Sequence, residues 1–425
     1  MHTATPPRQG LSRDFWKFWV GQTISNLGSS FTGFALPLLI FKLTGSALNL
    51  ALASAANFLP YLLFGLLIGA WVDRVNRQRL MISVDIGRAL VIASIPVLAT
   101  FGLLSIWWIY VVGFVNSTLS ICFDSSEFAA IPSLVKQDDL VTANGRIQAS
   151  YSAASVVGPL LAGLLLAIVP VQQLLLIDSA SFLCSAGALA LIRVSFNATT
   201  GQQRKLTSIR QDIAEGLRYV LGHPVLRMIS AMMALVNFVS STIATQLVLF
   251  AKERLLASDA QVGLLYSAGS AGIIVLSLLA GPLRKRWSFS AVALTALMLE
   301  GLLMIGLAFT RWYWVALPLV ALMNGLGILF NINTGSLRQA IVPNHLLGRV
   351  ISVAGVLAWS AIPLGTFLGG LLIEWTGNVA LIYGAIGVLT FLIPLAFSFT
   401  ALGHAERYLP SEDLAQELET VGTSH

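Results

Sequence analysis

The chain has 425 residues, 56% of them hydrophobic and only 10% charged, with a mean hydropathy of +0.81 and a net charge of +6. About a quarter of a water-soluble domain is charged, so this composition excludes a single soluble core and makes lipid the solvent for most of the chain. A transmembrane barrel is excluded too, because the apolar stretches run for about 20 residues instead of alternating over about ten.

The first residues, "MHTATPPRQGLSRD", are polar and show no short apolar core before a small-residue cleavage site, so no removed leader is expected. Twelve helical spans are predicted after them, at about 15–42, 47–71, 80–101, 105–128, 143–168, 171–192, 225–250, 259–281, 289–310, 312–334, 346–374 and 378–400. In span 1, Gln22, Asn26, Ser29 or Ser30, and Gly33 recur at helical spacing and share a face. Between spans 2 and 3 the chain reads "GAWVDRVNRQR", Gly69 to Arg79, one acid and three arginines. Span 3 holds Asp85 and Arg88, three residues apart and able to neutralise each other as a local pair.

Span 4 places Asn116, Ser120, Asp124 and Glu127 at intervals of four, four and three. Span 5 carries "GPLLAG" from Gly158 to Gly163, where small residues allow close helix approach and Pro159 frees a carbonyl, giving either tight packing or a functional bend. Asp178 lies in span 6. A polar, basic stretch at 193–224 then divides the spans six and six.

Span 7 repeats the polar face of span 1 with Asn237, Ser241 and Thr245. Glu300 sits near the middle of span 9 with no obvious cationic partner, which makes it a candidate for picking up and losing a proton. Span 10 carries Asn324, Asn331 and Arg338 at intervals of seven. Glu127 and Arg338 fall at near-equivalent places in the two halves and are expected to approach as a gate pair.

Lysine and arginine settle the expected orientation. With the N-terminus in the cytoplasm, twenty of the 25 fall on that side and only Lys42, Lys252, Arg254 and Arg311 on the other, so both termini are expected inside. The positive balance then belongs to cytoplasmic loops and anionic lipid rather than to nucleic acid.

Internal repetition supports two parallel halves. "NLGSS" at Asn26 to Ser30 returns as "NFVSS" at Asn237 to Ser241, a shift of 211, and "GPLLAG" returns as "PLGTFLGG" from Pro363. The expected organisation is a six-helix half at 1–192, a cytoplasmic linker at 193–224, a second half at 225–401 and a cytoplasmic tail at 402–425.

These words resemble the major facilitator superfamily of secondary transporters. Gly69, Asp73, Arg74 and Arg77 match its loop signature between spans 2 and 3, with Asn76 and Gln78 departing from it. Gly145, Ala154, Gly158-Pro159 and Ala162-Gly163 are similar to its antiporter signature, with two alanines where glycines are usual. "VGQTISNLGSSFTGFALPLLIFKLTGSAL", "FLPYLLFGLLIGAWVDR", "DIGR" and "LIDSASFL" resemble the macrolide-efflux and enterobactin-exporter-like branch. The second half departs, with Lys285 at the counterpart of Asp73.

The resemblance implies an all-helical transporter with spans 1, 4, 7 and 10 around a central path and spans 3, 6, 9 and 12 as supports. On that reading Gln22, Asn26, Ser30, Asn116, Ser120, Asn237, Ser241, Thr245, Asn324 and Asn331 line the path. Gly69, Asp73, Arg74, Arg77, Glu127 and Arg338 form a cytoplasmic latch and gate. Gly158, Pro159 and Gly163 supply a bend, and Asp85, Arg88, Asp178 and Glu300 are coupling candidates.

The expected function is proton-driven export of amphipathic small molecules, drug-like compounds or siderophores, by a monomer in the cell membrane. A lipid or lysophospholipid translocator, an importer by symport and a non-transporting receptor are the alternatives. No cofactor or metal is expected: no Gly-Lys dipeptide provides an ATPase-type phosphate loop, Cys122 and Cys184 both lie within spans, and no nucleophile, base and ligand set suggests an enzyme.

Overall fold

The computed structural model describes residues 11–72, 75–136, 139–196 and 209–408. Among these residues there are helices and no strand. The helices are α1 (Arg13–Thr44), α2 (Ala47–Val72), α3 (Arg77–Thr100), α4 (Ile106–Leu134), α5 (Leu140–Leu165), α6 (Val171–Ala190), α7 (Ile209–Gly222) and α8 (Pro224–Thr245). They continue as α9 (Leu247–Glu253), α10 (Asp259–Arg286), α11 (Phe289–Phe309), α12 (Tyr313–Ile341), α13 (Asn344–Trp359), α14 (Ala361–Thr376) and α15 (Val379–Ser398), followed by a 3₁₀ stretch Ala401–Tyr408.

Twelve segments are long and apolar enough to cross a membrane, in the order expected. Helices satisfy their own backbone, which lipid demands, and their ends are closed by short polar side chains. Asn76, Ser105, Ser288 and Asn378 each accept a hydrogen bond from a backbone N–H in the first turn of the helix they open, and Ser258 with Gln261 forms a reciprocal capping box on α10.

Two predicted spans are broken. Span 7 ends at Thr245, and Gln246 leads into the short α9. Span 11 is built from α13 and α14, which meet at Ser360. Pro363 has no N–H to offer the Trp359 carbonyl four residues earlier, so the ladder cannot run through this point.

Cα clustering divides the chain into two compact units, Met1–Thr44 with Ala56–Gln202 and Gly45–Ala55 with Gln203–His425. The sequence predicts an unbroken first half, yet the first turns of α2 cluster with the second unit. There the Ala47 carbonyl accepts from Gln246 Nε2 at 2.7 Å, and Glu374 Oε2 accepts from Ser46 Oγ at 3.0 Å and from the Leu48 N–H at 3.3 Å.

The same four helix pairings recur in both units. In the first, α1 packs on α5 and on α6, α3 on α6, and α3 on α4; in the second, α8 packs on α14 and on α15, α11 on α15, and α11 on α12. Each unit has an apolar plug at the corresponding end. One gathers Phe15, Phe18, Met81, Phe123 and Leu189, the other Val225, Ile229, Phe289, Leu337 and Leu402. The linker helix α7 belongs to the second unit, where Val220 packs with Leu346 and Val350 of α13 and Arg349 pairs with Glu215.

Trp107 in the first unit and Trp312, Trp314 and Trp375 in the second stand exposed beside turns that join spans. An amphipathic indole is favoured at the level of lipid headgroups, which suits exposed tryptophans at span ends.

Candidate functional site

Each unit encloses its own polar cavity. In the first unit, a cavity of about 250 Å³ is walled by α1, α2, α3, α4 and α6. Asp178 projects into it from α6 with 1% exposure. Its carboxylate accepts from Thr32 Oγ1, from Ser181 Oγ at 3.2 Å and from Ser29 Oγ at 3.5 Å. Three hydroxyl donors compensate part of the cost of burying this acid, so Asp178 is held in a fixed position.

Across the cavity, Arg88 Nε donates to Asn116 Oδ1 at 3.3 Å, and its guanidinium carbon lies 4.0 Å from the centre of the Phe182 ring. The expected Asp85–Arg88 pair is not formed. Asp85 is completely buried and faces the Ser185 hydroxyl of α6. Positions three apart on a helix differ by about 60° in direction, and the stem of Arg88 carries its head to a π face and an amide oxygen instead.

A second cavity of the first unit, about 490 Å³, lies between α4 and α5 and is lined by Asp124, Glu127, Gln148 and Tyr151 among others. Glu127 is 7% exposed; its Oε2 accepts from the Tyr151 hydroxyl at 3.5 Å, and its Oε1 has no partner. Arg338 belongs to the other unit, where its Nη2 donates to Met233 Sδ at 3.0 Å.

In the second unit, a cavity of about 320 Å³ is enclosed by α8, α9, α10, α11 and α12. Glu300 enters it from α11, a supporting span, together with Ser241, Tyr266, Ser270 and Asn324. Position in a supporting span therefore does not keep Glu300 away from a cavity.

Several residues expected on the path are turned to neighbouring helices. Gln22 is 3% exposed and donates to Ser185 Oγ of α6 at 2.8 Å. Asn237 Nδ2 donates to the Ala358 carbonyl at 2.8 Å, beside the break in span 11, and Ser241 Oγ donates to the Ile362 carbonyl at 3.4 Å. Thr245 Oγ1 donates to Ser54 Oγ at 3.3 Å and to the Ser241 carbonyl at 3.1 Å.

Ser30 and Ser120 donate to the carbonyls of Asn26 and Asn116 in the preceding turn, and Asn26 Nδ2 is buried without a partner. Asn331 is exposed, whereas Asn333, two residues on, is 1% exposed and donates to the Leu329 carbonyl. Asn116, Ser241 and Asn324 do line cavities.

Gly158 meets α1 so closely that a Cβ on it would collide with Ser30 Cβ. Pro159 and Gly163 lie inside α5, Gly163 buried. Of the loop signature, Asp73 and Arg74 lie outside the described residues. Gly69 is in the last turn of α2, and Arg77 opens α3, its Nη1 donating to the Phe196 carbonyl at 3.2 Å. Gln78 Nε2 donates to the Leu189 and Ile192 carbonyls, both at 2.9 Å, closing the end of α6.

Thr32, Tyr151 and Tyr266 were missed from the sequence. Thr32 carried a signal, since it follows Ser29 by three residues on one helical face. The tyrosines carried none, because an aromatic in an apolar run does not announce a cavity. No group of three or more His, Cys, Asp and Glu side chains suited to a metal occurs among the described residues.

A family profile described as transmembrane secretion effector matches residues 4–420. Macrolide efflux protein A of Streptococcus pyogenes is 26% identical over 368 residues, 85% of this chain and 90% of that one. Multidrug efflux pump Tap of Mycolicibacterium fortuitum is 29% identical over 364 residues, 82% and 87% of the two chains.

Solved structures share the fold. The nucleoside transporter NupG superposes with a TM-score of 0.74 at 12% identity, covering 91% of this chain and 98% of its own. A bacterial homologue of the iron transporter ferroportin in an inward-facing state gives 0.72 at 18%, covering 92% and 100%.

Proposed function

Because the chain belongs to the transmembrane secretion effector family of major facilitator transporters, we propose that it exports amphipathic small molecules by alternating access, driven by the proton gradient. The chain is a multi-pass membrane transporter, not an enzyme, and its relatives include macrolide and multidrug efflux pumps. Export, the amphipathic class of substrate and proton coupling belong to the proposal, as do a monomeric state and both termini in the cytoplasm.

The observation that carries this reading is that each unit holds a cavity of mixed polar and apolar lining with a carboxylate at its wall. Asp178 stands with Ser29, Thr32, Arg88 and Asn116, and Glu300 with Ser241, Ser270 and Asn324 beside methionines and aliphatic side chains, so each cavity joins a cluster of polar groups to an apolar wall. Such a surface suits a molecule with a polar head and an apolar body. An intramembrane acid also serves as a place for a proton, and Asp178 and Glu300 are the coupling candidates that this geometry favours over Arg88.

The test is dye accumulation in everted vesicles carrying the purified protein, with and without an imposed proton gradient. Gradient-dependent accumulation supports a proton-driven exporter. No accumulation of any compound from a panel of cationic, neutral and siderophore molecules would sink the reading.

A further inference from the structure

We propose that the cavity between α4 and α5 binds a divalent metal cation of the magnesium class, which keeps most of its water and is held by Asp124 and Glu127. This inference goes beyond the export reading and does not depend on it. Two helical stripes face each other here. Asp124, Glu127 and Ile131 follow one another on α4 at intervals of three and four, and Asn144, Gln148 and Tyr151 on α5 at intervals of four and three, so each set shares one face of its helix. The cavity of about 490 Å³ lies between the two stripes, and Phe128 and Ile147 add to its apolar wall.

The negative charge at this wall is not balanced from within. No lysine, arginine or histidine is among the described residues that line the cavity. Arg146, next to the lining Gly145, is turned away, its guanidinium carbon 4.7 Å from the centre of the Trp16 ring. The charge of Arg88 reaches Asp124, but it is shared with Asp85 and Asp178, and Arg88 itself stays with Asn116 and the Phe182 ring.

Glu127 meets only like charge, from Asp124 and Asp85. It is 7% exposed, the Tyr151 hydroxyl reaches its Oε2 only at 3.5 Å, and its Oε1 has no hydrogen-bond partner among the described residues. A buried carboxylate oxygen in this condition is costly, and a cation or a proton from outside the chain removes the cost.

The arrangement favours a metal over a proton. A proton serves one carboxylate, whereas Asp124 and Glu127 lie on one face and together match a double positive charge. Asn144 Nδ2 donates to the Leu140 carbonyl at 2.9 Å, which leaves Oδ1 as an acceptor. Tyr151 gives its hydroxyl proton to Glu127, which leaves its oxygen to accept from a metal-bound water. Gln148 and the second N–H of Asn144 bring donors as well, which serve the carboxylate oxygens that the metal does not take.

Two carboxylates are too few for calcium, which takes about six to eight oxygens directly. A magnesium-class ion is bound through one or two carboxylates and keeps several waters, for which a polar cavity of this size has room. Held there, the ion ties α4 to α5 through its waters and stabilises the first unit.

The test is thermal unfolding of the full chain in phosphatidylcholine nanodiscs, with magnesium chloride compared against sodium chloride at the same ionic strength. Magnesium is expected to raise the midpoint of the intact chain as its concentration rises, and calcium to raise it less. Titration with Mn²⁺, read by its paramagnetic resonance signal, gives the affinity for an ion of the same oxygen preference. Tyr151→Phe weakens it by about tenfold and Glu127→Gln by more. Without metal, Glu127→Gln unfolds no earlier than the intact chain, because like-charge repulsion is gone; with magnesium that order reverses, which a purely structural Glu127 does not produce.

A midpoint that magnesium raises no more than sodium does, or equal Mn²⁺ affinity in the intact chain and Glu127→Gln, would overturn the inference and leave Glu127 to a proton. Should Glu127→Gln not fold, Asp124→Asn and Tyr151→Phe take its place, and an unchanged Mn²⁺ affinity in both overturns it equally.

Discussion

Gly158 and Ser30 bring α5 and α1 into backbone-close contact, and the second unit repeats the relationship with Gly365 of α14 against Ser241 and the Phe238 carbonyl of α8. The offsets, 207 and 211 residues, are those of the sequence repeat, so the repeat is one of packing as well as of letters. Gly158→Val should wedge α5 away from α1 and destabilise the first unit by about 1–3 kcal/mol, the usual cost of overpacking. A thermal-unfolding midpoint equal to that of the intact chain would contradict the contact. Ser30→Gly in the same chain should recover part of the loss, since Ser30 Cβ is the atom met.

Asn237 holds the Ala358 carbonyl beside the break in span 11. Asn237→Leu leaves that carbonyl without its donor in a place lipid cannot supply one, a cost of about 1–3 kcal/mol. Unfolding in mixed detergent reads it out, and an unchanged midpoint would mean that the break needs no donor.

Thr32 donates to Asp178 across the wall of the first cavity. Thr32→Val keeps the shape and removes the donor, so gradient-driven transport should fall by about tenfold, as expected for losing one hydrogen bond to a charged group. Asp178→Asn should fall at least as far. Transport by Thr32→Val at the intact rate would release Asp178 from the coupling role.

Glu406, in the 3₁₀ stretch after α15, closes the start of α11. Its Oε1 accepts from the Ser290 N–H at 2.8 Å and its Oε2 from Ser290 Oγ at 3.0 Å. Burial pushes its pKa up, but these hydrogen bonds outweigh burial and hold the carboxyl below the ordinary value of 4.5. A depressed acid contributes its stability above that ordinary value and loses it as pH falls through the lower folded value. Glu406→Gln should therefore lower the unfolding midpoint at pH 7, and the gap from the intact chain should close as the pH drops below about 4. A gap independent of pH would assign the contact to packing alone.

How much of this was legible depends on the range of the interaction. The twelve spans, their order and the six-and-six division follow from runs long enough to cross a bilayer, a one-dimensional property. The break at Gln246 was not legible, because its side chain answers to the Ala47 carbonyl far along the chain, whereas the break at Ser360 has a local cause in Pro363 that the predicted span runs past.

The polar face of span 1 was legible as a face but not as a destination. Gln22 of span 1, like Asn237 of span 7, satisfies a neighbouring helix, while Thr32, on the same helix as Gln22, reaches a cavity acid. Periodicity assigns a side chain to a direction around its own helix, and only packing says what stands in that direction.

The sequence by itself determined the membrane class, the spans, the two-fold repeat and the resemblance to exporters, because hydrophobic length and repeated words survive without coordinates. Only the tertiary structure decided that Asp85 and Arg88 do not pair, that Asp178 is held by three hydroxyls, and that Glu300 enters a cavity with no cation from the chain beside it. The physical reason is that a buried charge is defined by everything around it, and its surroundings here come from helices tens to more than a hundred residues away in the chain.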